Sequence, residues 1–204
     1  MTWDSLPSLE TKRMRLRWLT EADVDALYRI FSHPQVVRYW GAPALADRDA
    51  AAALLAEIQE NFRKRTSMKW GVAELETDQI IGTVTLFNLN LDNKRAEIGY
   101  GLDHNYWRKG YVTEALDALL SYAFDVLQLH RLEADVDPRN VGSIRTLEKM
   151  GFQREGLMRE RWQVNGEIQD ALFYGLLRPE WEAGRKVAQA VGLRTQTDSL
   201  RYEK

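Results

Sequence analysis

Cysteine is absent from all 204 residues. That excludes disulfides, thiolate metal sites and cysteine nucleophiles, and no metal is expected. No apolar run approaches the roughly 18 residues that a membrane-spanning helix needs, so no membrane partner is expected. The opening "MTWDSLPSLETKR" has no basic segment followed by an apolar one. No signal peptide is read there, and the cytoplasm is the expected compartment. Charge of one sign is not in excess: the formal net charge is −2, which argues against a nucleic-acid partner. Histidine is scarce. His33, His104 and His130 stand without a matching nucleophile and are read as structural. Neither G-x-x-x-x-G-K-[ST] nor G-x-G-x-x-G occurs, which excludes the two common glycine-rich phosphate loops.

What is present is ordinary for a globular protein: 45% apolar and 28% charged residues. The length suits one domain, assigned to residues 1–181. A tail over 182–204 starts as a weak helix, ends polar, and is expected to be partly disordered or used in assembly. Seven tryptophans are many for this length. Most are expected in packing, and the apolar and aromatic surplus makes a homodimer reasonable.

Residues 9–17, "LETKRMRLR", alternate in period two and read as one half-buried strand. Thr20 reads as an N-cap with Asp23 completing an acidic capping box, ahead of the apolar face Val24, Leu27, Ile30 and Phe31. Residues 33–43, "HPQVVRYWGAP", read as a turn-rich segment. Residues 46–65 read as a helix with Ala53, Leu54, Ile58 and Phe62 on one face. Strand-like runs follow at 69–76, 79–90 and 95–103, joined by "TD" and "LDNK" turns into an antiparallel meander. A helix is expected over 111–128, a strand over 131–137 and a helix over 140–152 closed by Gly151. A strand, an Asn165-Gly166 turn and a strand complete the series. The order β α α β β β α β α β β predicts an α/β (α+β) domain: one mixed, mostly antiparallel twisted sheet flanked by helices.

The segment "NYWRKGYVTEAL" (105–116) carries the chemistry. A strand runs into it and a long helix leaves it. The first helical turn has backbone N–H groups without intrahelical partners, and the helix dipole adds partial positive charge. Gly110 permits a turn and a close approach. Arg108 and Lys109 add charge. This is either a solvated basic turn or a phosphate site. In "DPRNVGSIRTLEKMGF", Asn140 stands at a strand-to-helix switch as an N-cap, with Ser143 in the first turn.

In order, "LETKRMRLR", "IIGTVTL", "AEIGYGL", "YWRKGYVTEAL", "DPRNVGSIRTLEKMGF" and "DALFYGLLRPEW" resemble the GCN5-related N-acetyltransferase (GNAT) superfamily, in particular its RimJ/RimL-like branch. The resemblance covers residues 9–181. The family's loop pattern is Q/R-x-x-G-x-G/A; here Trp107 and Val112 replace its first and last residues, and Gly110 is kept.

The resemblance implies that acetyl-CoA, as co-substrate, enters a split between two splayed central strands, 95–103 and 131–137. The backbone of Tyr100, Gly101 and Leu102 would contact the pantetheine. The pyrophosphate would rest on the backbone of Arg108, Lys109, Gly110, Tyr111, Val112 and Thr113. Asn140 would bond the pantetheine arm, and Ser143 would lie near the sulfur. The implied reaction is direct acetyl transfer to a primary amine. At pH 7.5 about a quarter of an α-amino group is neutral, against about 0.1% of a lysine, so an α-amine needs less help from a base. The departing thiolate needs a proton or a hydrogen bond, and Ser143 is the candidate, beside its plainer role in the helix first turn. A tyrosine used by some relatives one turn further along is replaced by Leu147. Glu97 and Asp135, on the strands flanking the split, are candidates for the base, each also readable as a salt-bridge partner. Glu97 is the first choice.

The acceptor groove implied by the family would be walled by Tyr39, Trp40 and Trp162, unless these only pack. A protein N-terminal α-amine, as on a ribosomal protein, is the expected acceptor. A small amine such as an amino acid, polyamine or drug is the alternative, and a non-catalytic CoA-binding module is the third reading.

Overall fold

The computed structural model describes residues 5–164 and 166–190, together with the backbone of 202–203; of 188–190 it likewise describes the backbone. The segment read as one strand is a hairpin. β1 (Ser8–Glu10) and β2 (Met14–Arg17) pair antiparallel, with Leu9 opposite Leu16. The chain reverses at Thr11–Arg13, where Thr11 Oγ1 and the Met14 backbone exchange hydrogen bonds of 3.0 Å. The turn shifts the phase of the alternation from odd to even positions, so Leu9, Met14 and Leu16 all face the core and are fully buried.

A short 3-10 turn, Glu21–Asp23, precedes α1 (Val24–Phe31), whose buried face is Val24, Leu27, Ile30 and Phe31. Asp23 Oδ2 accepts the Thr20 N–H at 2.8 Å, as a capping box requires. Inside the turn-rich segment lies a one-turn helix, α2 (Pro34–Val37). α3 (Arg48–Arg63) is capped by Asp47, whose side chain accepts from Ala50 N at 2.8 Å. Its buried face is Ala51, Leu55, Ile58 and Phe62. Ala53 is exposed, because the spacing of 51, 55, 58 and 62 follows the helical period and 53 does not.

β3 (Ser67–Glu74), β4 (Ile80–Asn90) and β5 (Arg95–Leu102) form the expected meander. Its turns place Asp78 and Lys94 at positive φ (53° and 51°). α4 (Tyr111–Ser121) runs into one widened turn, Tyr122–Val126. β6 (Arg131–Val136), α5 (Val141–Lys149), β7 (Gln153–Val164) and β8 (Glu167–Leu177) follow. Of the expected Asn165-Gly166 turn, Asn165 lies outside the described residues. α6 (Arg178–Ala190) starts ahead of the expected boundary at 182, and its Trp181 packs on Phe124 at 5.0 Å. The rest of the expected tail lies outside the described residues, apart from β9 (Tyr202–Glu203), which pairs with β1.

The sheet order is β7-β8-β6-β5-β4-β3-β2-β1-β9, antiparallel throughout except for β5 and β6. Strand side chains alternate between faces. Trp70, Val84, Leu86, Ile98 and Leu132 meet α4, α5 and the widened turn in the larger core. Leu19, Ala73 and Ile80 pack with α1 and α3 in the second core. On that second face, Gly101 lies directly under Phe31 and Trp40: a Cβ there would come within 2.7 Å of Trp40.

Candidate active site

β5 and β6 pair in parallel at Arg95–Arg131, Ala96–Leu132 and Glu97–Glu133, and then stop pairing. Beyond Glu97 and Glu133 the strands part. A cavity of about 580 Å³ occupies the gap. Because side chains alternate along each strand, this gap brings both sheet faces into one chamber. Tyr100, Ala134 and Val136 reach it from the α4/α5 face, joined by Asn140, Ser143 and Leu147 of α5. Lys69, Thr85, Glu97 and Asp135 reach it from the opposite face, below Tyr39 and Trp40. Arg161 and Trp162 of β7 also line it.

On the α5 side the Asn140 side chain caps the helix, accepting from Ser143 N at 3.1 Å. Ser143 Oγ lies 2.6 Å from Tyr100 Oη, so the β5 tyrosine bridges the split to the α5 serine. Burial pushes the Tyr100 phenol up to about 12, against the opposing effect of Ser143. The phenol therefore stays protonated at neutral pH and remains a donor. Leu147 stands on α5 where some relatives carry a tyrosine; the tyrosine hydroxyl beside Ser143 here comes from β5.

On the other side Glu97 accepts from Asn88 Nδ2 at 2.8 Å. Asp135 Oδ2 meets Arg161 Nε at 3.2 Å. Lys69 Nζ stands 6.0 Å from the Trp40 ring, and burial pushes its amine down against the opposing pull of Glu57. At the rim Arg139 grips Asp137 (2.7 Å) and Glu167 (2.6 Å). Burial works to raise the Asp137 carboxyl, but the Arg139 hydrogen bonds and the charges of Arg139 and Arg38 outweigh it and hold it low.

The loop after β5 is held from several sides. Trp107 Nε1 donates to the Leu102 carbonyl at 2.8 Å, tying the loop back to the strand. Arg108 and Gly110 both take positive φ (60° and 83°), and Gly110 starts α4. These two left-handed residues turn the chain into the first turn of α4, whose N–H groups have no intrahelical partner. Arg13 braces it from the β1–β2 turn: its guanidinium donates to the Lys109 carbonyl (3.0 Å) and to Glu114 (2.7 Å), over the Tyr111 ring. The buried Glu114 also accepts from Thr11 Oγ1 and the Arg13 N–H. Neither Arg13 nor Glu114 carried a sequence signal, since the two are distant in the chain.

The cavity thus gathers Glu97, Tyr100, Asn140, Ser143, Tyr39, Trp40 and Trp162 of the expected site, with Asp135. Gly101, Leu102 and the 108–113 loop lie outside its wall. Gly101 is covered by Trp40, and the Leu102 side chain is buried in the larger core. His33 and His104 stack on one another at 3.9 Å, away from the cavity wall.

Residues 13–153 match the family model described as an acetyltransferase (GNAT) domain. The uncharacterized N-acetyltransferase YoaA of Bacillus subtilis is 34% identical over 173 residues, 85% of this chain and 98% of that protein. The spermidine N(1)-acetyltransferase of Escherichia coli K12 is 26% identical, over 85% of this chain and 90% of that one. A candidate ribosomal-protein-serine acetyltransferase of Vibrio cholerae superposes with a TM-score of 0.70 at 27% identity, over 87% of this chain and 99% of that one.

Proposed function

This chain belongs to the GNAT acetyltransferase family, and on that premise we propose that the amine it acetylates is the α-amine of a protein N-terminus. The family assignment makes it an acyltransferase that takes acetyl from acetyl-CoA and places it on an amine. The observation that supports the site is the chamber through the β5–β6 gap, with hydroxyls on one face and carboxylates on the other.

The division suits the reaction. On the α5 face, Ser143 and Tyr100 would meet the sulfur. A thiol has a pKa near 8.5, so a phenol at about 12 donates a hydrogen bond to the departing thiolate rather than a whole proton. The Asn140 amide would bond the pantetheine, and the backbone N–H groups from Arg108 to Thr113 would hold the pyrophosphate. On the opposite face, Glu97 and Asp135 supply negative charge where an ammonium must arrive and lose a proton. The backbone beside the gap would stabilise the tetrahedral oxyanion.

For the acceptor, two arguments favour the α-amine. Its neutral fraction at pH 7.5 is about a quarter, so weak carboxylate bases suffice. The rings of Tyr39, Trp40 and Trp162 in the cavity wall would pack against the peptide that carries the amine. The resemblance to the Vibrio cholerae protein points the same way. The resemblance to a spermidine acetyltransferase favours a polyamine as the second reading. Thiol release measured over N-terminal peptides, spermidine and amino acids separates them. Turnover of peptides well above that of spermidine is expected; the reverse order overturns the α-amine assignment, and acetyl-CoA binding without turnover of any amine would leave a binding module.

A further inference from the structure

The two carboxylates on the acceptor face are not equivalent. Glu97 is the last residue of β5 that pairs with β6, and its Oε1 is already occupied by the Asn88 amide at 2.8 Å. Asp135 stands beyond the last residue of β6 that pairs with β5, beside the gap, while its other edge stays paired to β8. Its side chain is 11% exposed. Arg161 Nε holds Oδ2 at 3.2 Å, while Oδ1 is buried and has no hydrogen-bond partner. A buried carboxylate oxygen without a donor is costly, and the chain elsewhere gives its buried carboxylates several donors, as at Glu114 and Asp23.

Asp135 lines the cavity on the acceptor face. Across the sheet, Lys69 pairs with Thr85 and Thr85 with Gly99. The Glu97–Glu133 register then puts Gly99 level with Asp135 across the gap. At Gly99 this row carries no side chain, and the Phe87 ring, 3.3 Å from where a Cβ would stand, walls the cavity there. Opposite Asp135, through the gap, stand Ser143 and Tyr100.

We infer that Asp135, held by Arg161, receives an N–H of the acceptor amine on Oδ1 and takes its proton during transfer. The neutral amine's lone pair attacks the acetyl carbonyl carbon and forms the C–N bond. The nitrogen's surplus proton passes to Asp135 Oδ1. The C–S bond breaks, its electron pair stays on sulfur as the thiolate, and the Ser143–Tyr100 pair hydrogen-bonds it. Asp135 then returns its proton to solvent. Forming the C–N bond makes the nitrogen more acidic than the free ammonium, which favours passing its proton to a carboxylate beside it. Arg161 is a positioning residue: it holds Oδ2 and leaves Oδ1 without a donor. Glu97 adds negative charge that draws the ammonium in.

The inference rests on acetyl transfer to an amine, whichever amine that is, so it is measured with the best acceptor of the wild-type enzyme. Asp135→Asn and Asp135→Ala are both expected to lower kcat by about 100-fold or more, the usual contribution of a positioned base. The acetyl-CoA Kd by calorimetry and the melting temperature should stay near wild type. Added formate should restore part of the lost rate to Asp135→Ala in a concentration-dependent way and do nothing for wild type. Arg161→Gln should lower kcat by less and gain nothing from formate. A kcat within threefold of wild type in either folded Asp135 variant overturns the inference. So does a folded Asp135→Ala whose loss equals that of Arg161→Gln and ignores formate, because that is the signature of a salt bridge alone. If Asp135→Ala does not fold, the Asp135→Asn rate decides.

Discussion

Tyr100 and Ser143 share one short hydrogen bond, and their effects should not add. Ser143→Ala and Tyr100→Phe are each expected to lower kcat by about 10- to 100-fold, the worth of one hydrogen bond to a charged group. The double variant should be little worse than either single one, as expected of residues acting as a unit. Steady-state kinetics of the three variants checks this, provided chemistry limits the rate. Independent, multiplying losses would separate the two hydroxyls. Much of this scale was legible before any coordinates: the family resemblance and strand alternation brought Glu97, Asn140, Ser143, Tyr39, Trp40 and Trp162 to one chamber. The Tyr100 side chain was not legible, because its reach across the gap depends on where β5 and β6 part. Nor was the covering of Gly101 by Trp40, a contact between distant segments.

At the scale of the elements, the start of α4 is the piece most sensitive to a single charge. Gly110 sits at φ 83°, and the nearest side-chain atom to an added Cβ would be Arg13 Nη2 at 3.5 Å. There is room for a methyl, so Gly110→Ala should cost only the left-handed strain, about 1–2 kcal/mol, and weaken acetyl-CoA modestly. Gly110→Asp adds a carboxylate at the start of α4 and should raise the acetyl-CoA Kd far more. Calorimetry on both variants checks the assignment; equal affinities for Ala and Asp would contradict it. Trp107 has a structural account here: its indole anchors the loop to Leu102, a task done by side chain N–H rather than by charge. The hairpin read as one strand has a local cause. The β1–β2 turn uses Thr11, Lys12 and Arg13 instead of glycine, proline or asparagine, so no turn residue marked it. What closes that turn is Glu114, supplied from α4.

For the molecule as a whole, carboxylates paired to arginine link stability to pH. Asp23 is held low: burial works to raise it, but hydrogen bonds from Arg17 and Thr20 prevail. The Arg131 hydrogen bond holds Glu155 low, and Asp137 is low beside Arg139. A carboxyl whose folded pKa lies under its unfolded value stabilises the fold above the unfolded value, near 4, and loses that contribution as pH falls through the folded one. The urea midpoint should therefore be nearly flat from pH 7 to 5 and fall below about pH 4. Asp23→Asn should lower the midpoint at pH 7, with the gap to wild type narrowing in acid; a gap independent of pH would contradict the pairing. The fold class was legible because helix and strand periods are local. The place where two parallel strands separate is not local, and the chemistry depends on it.

The account stands or falls on where the acetyl group lands. The direct measurement is mass spectrometry of a peptide that carries both a free N-terminal α-amine and an internal lysine, incubated with acetyl-CoA and the full chain. The account predicts acetylation of the α-amine, the lysine untouched, and loss of that product in Asp135→Asn. Acetyl found on the lysine, or on added spermidine while the peptide stays unmodified, would contradict it.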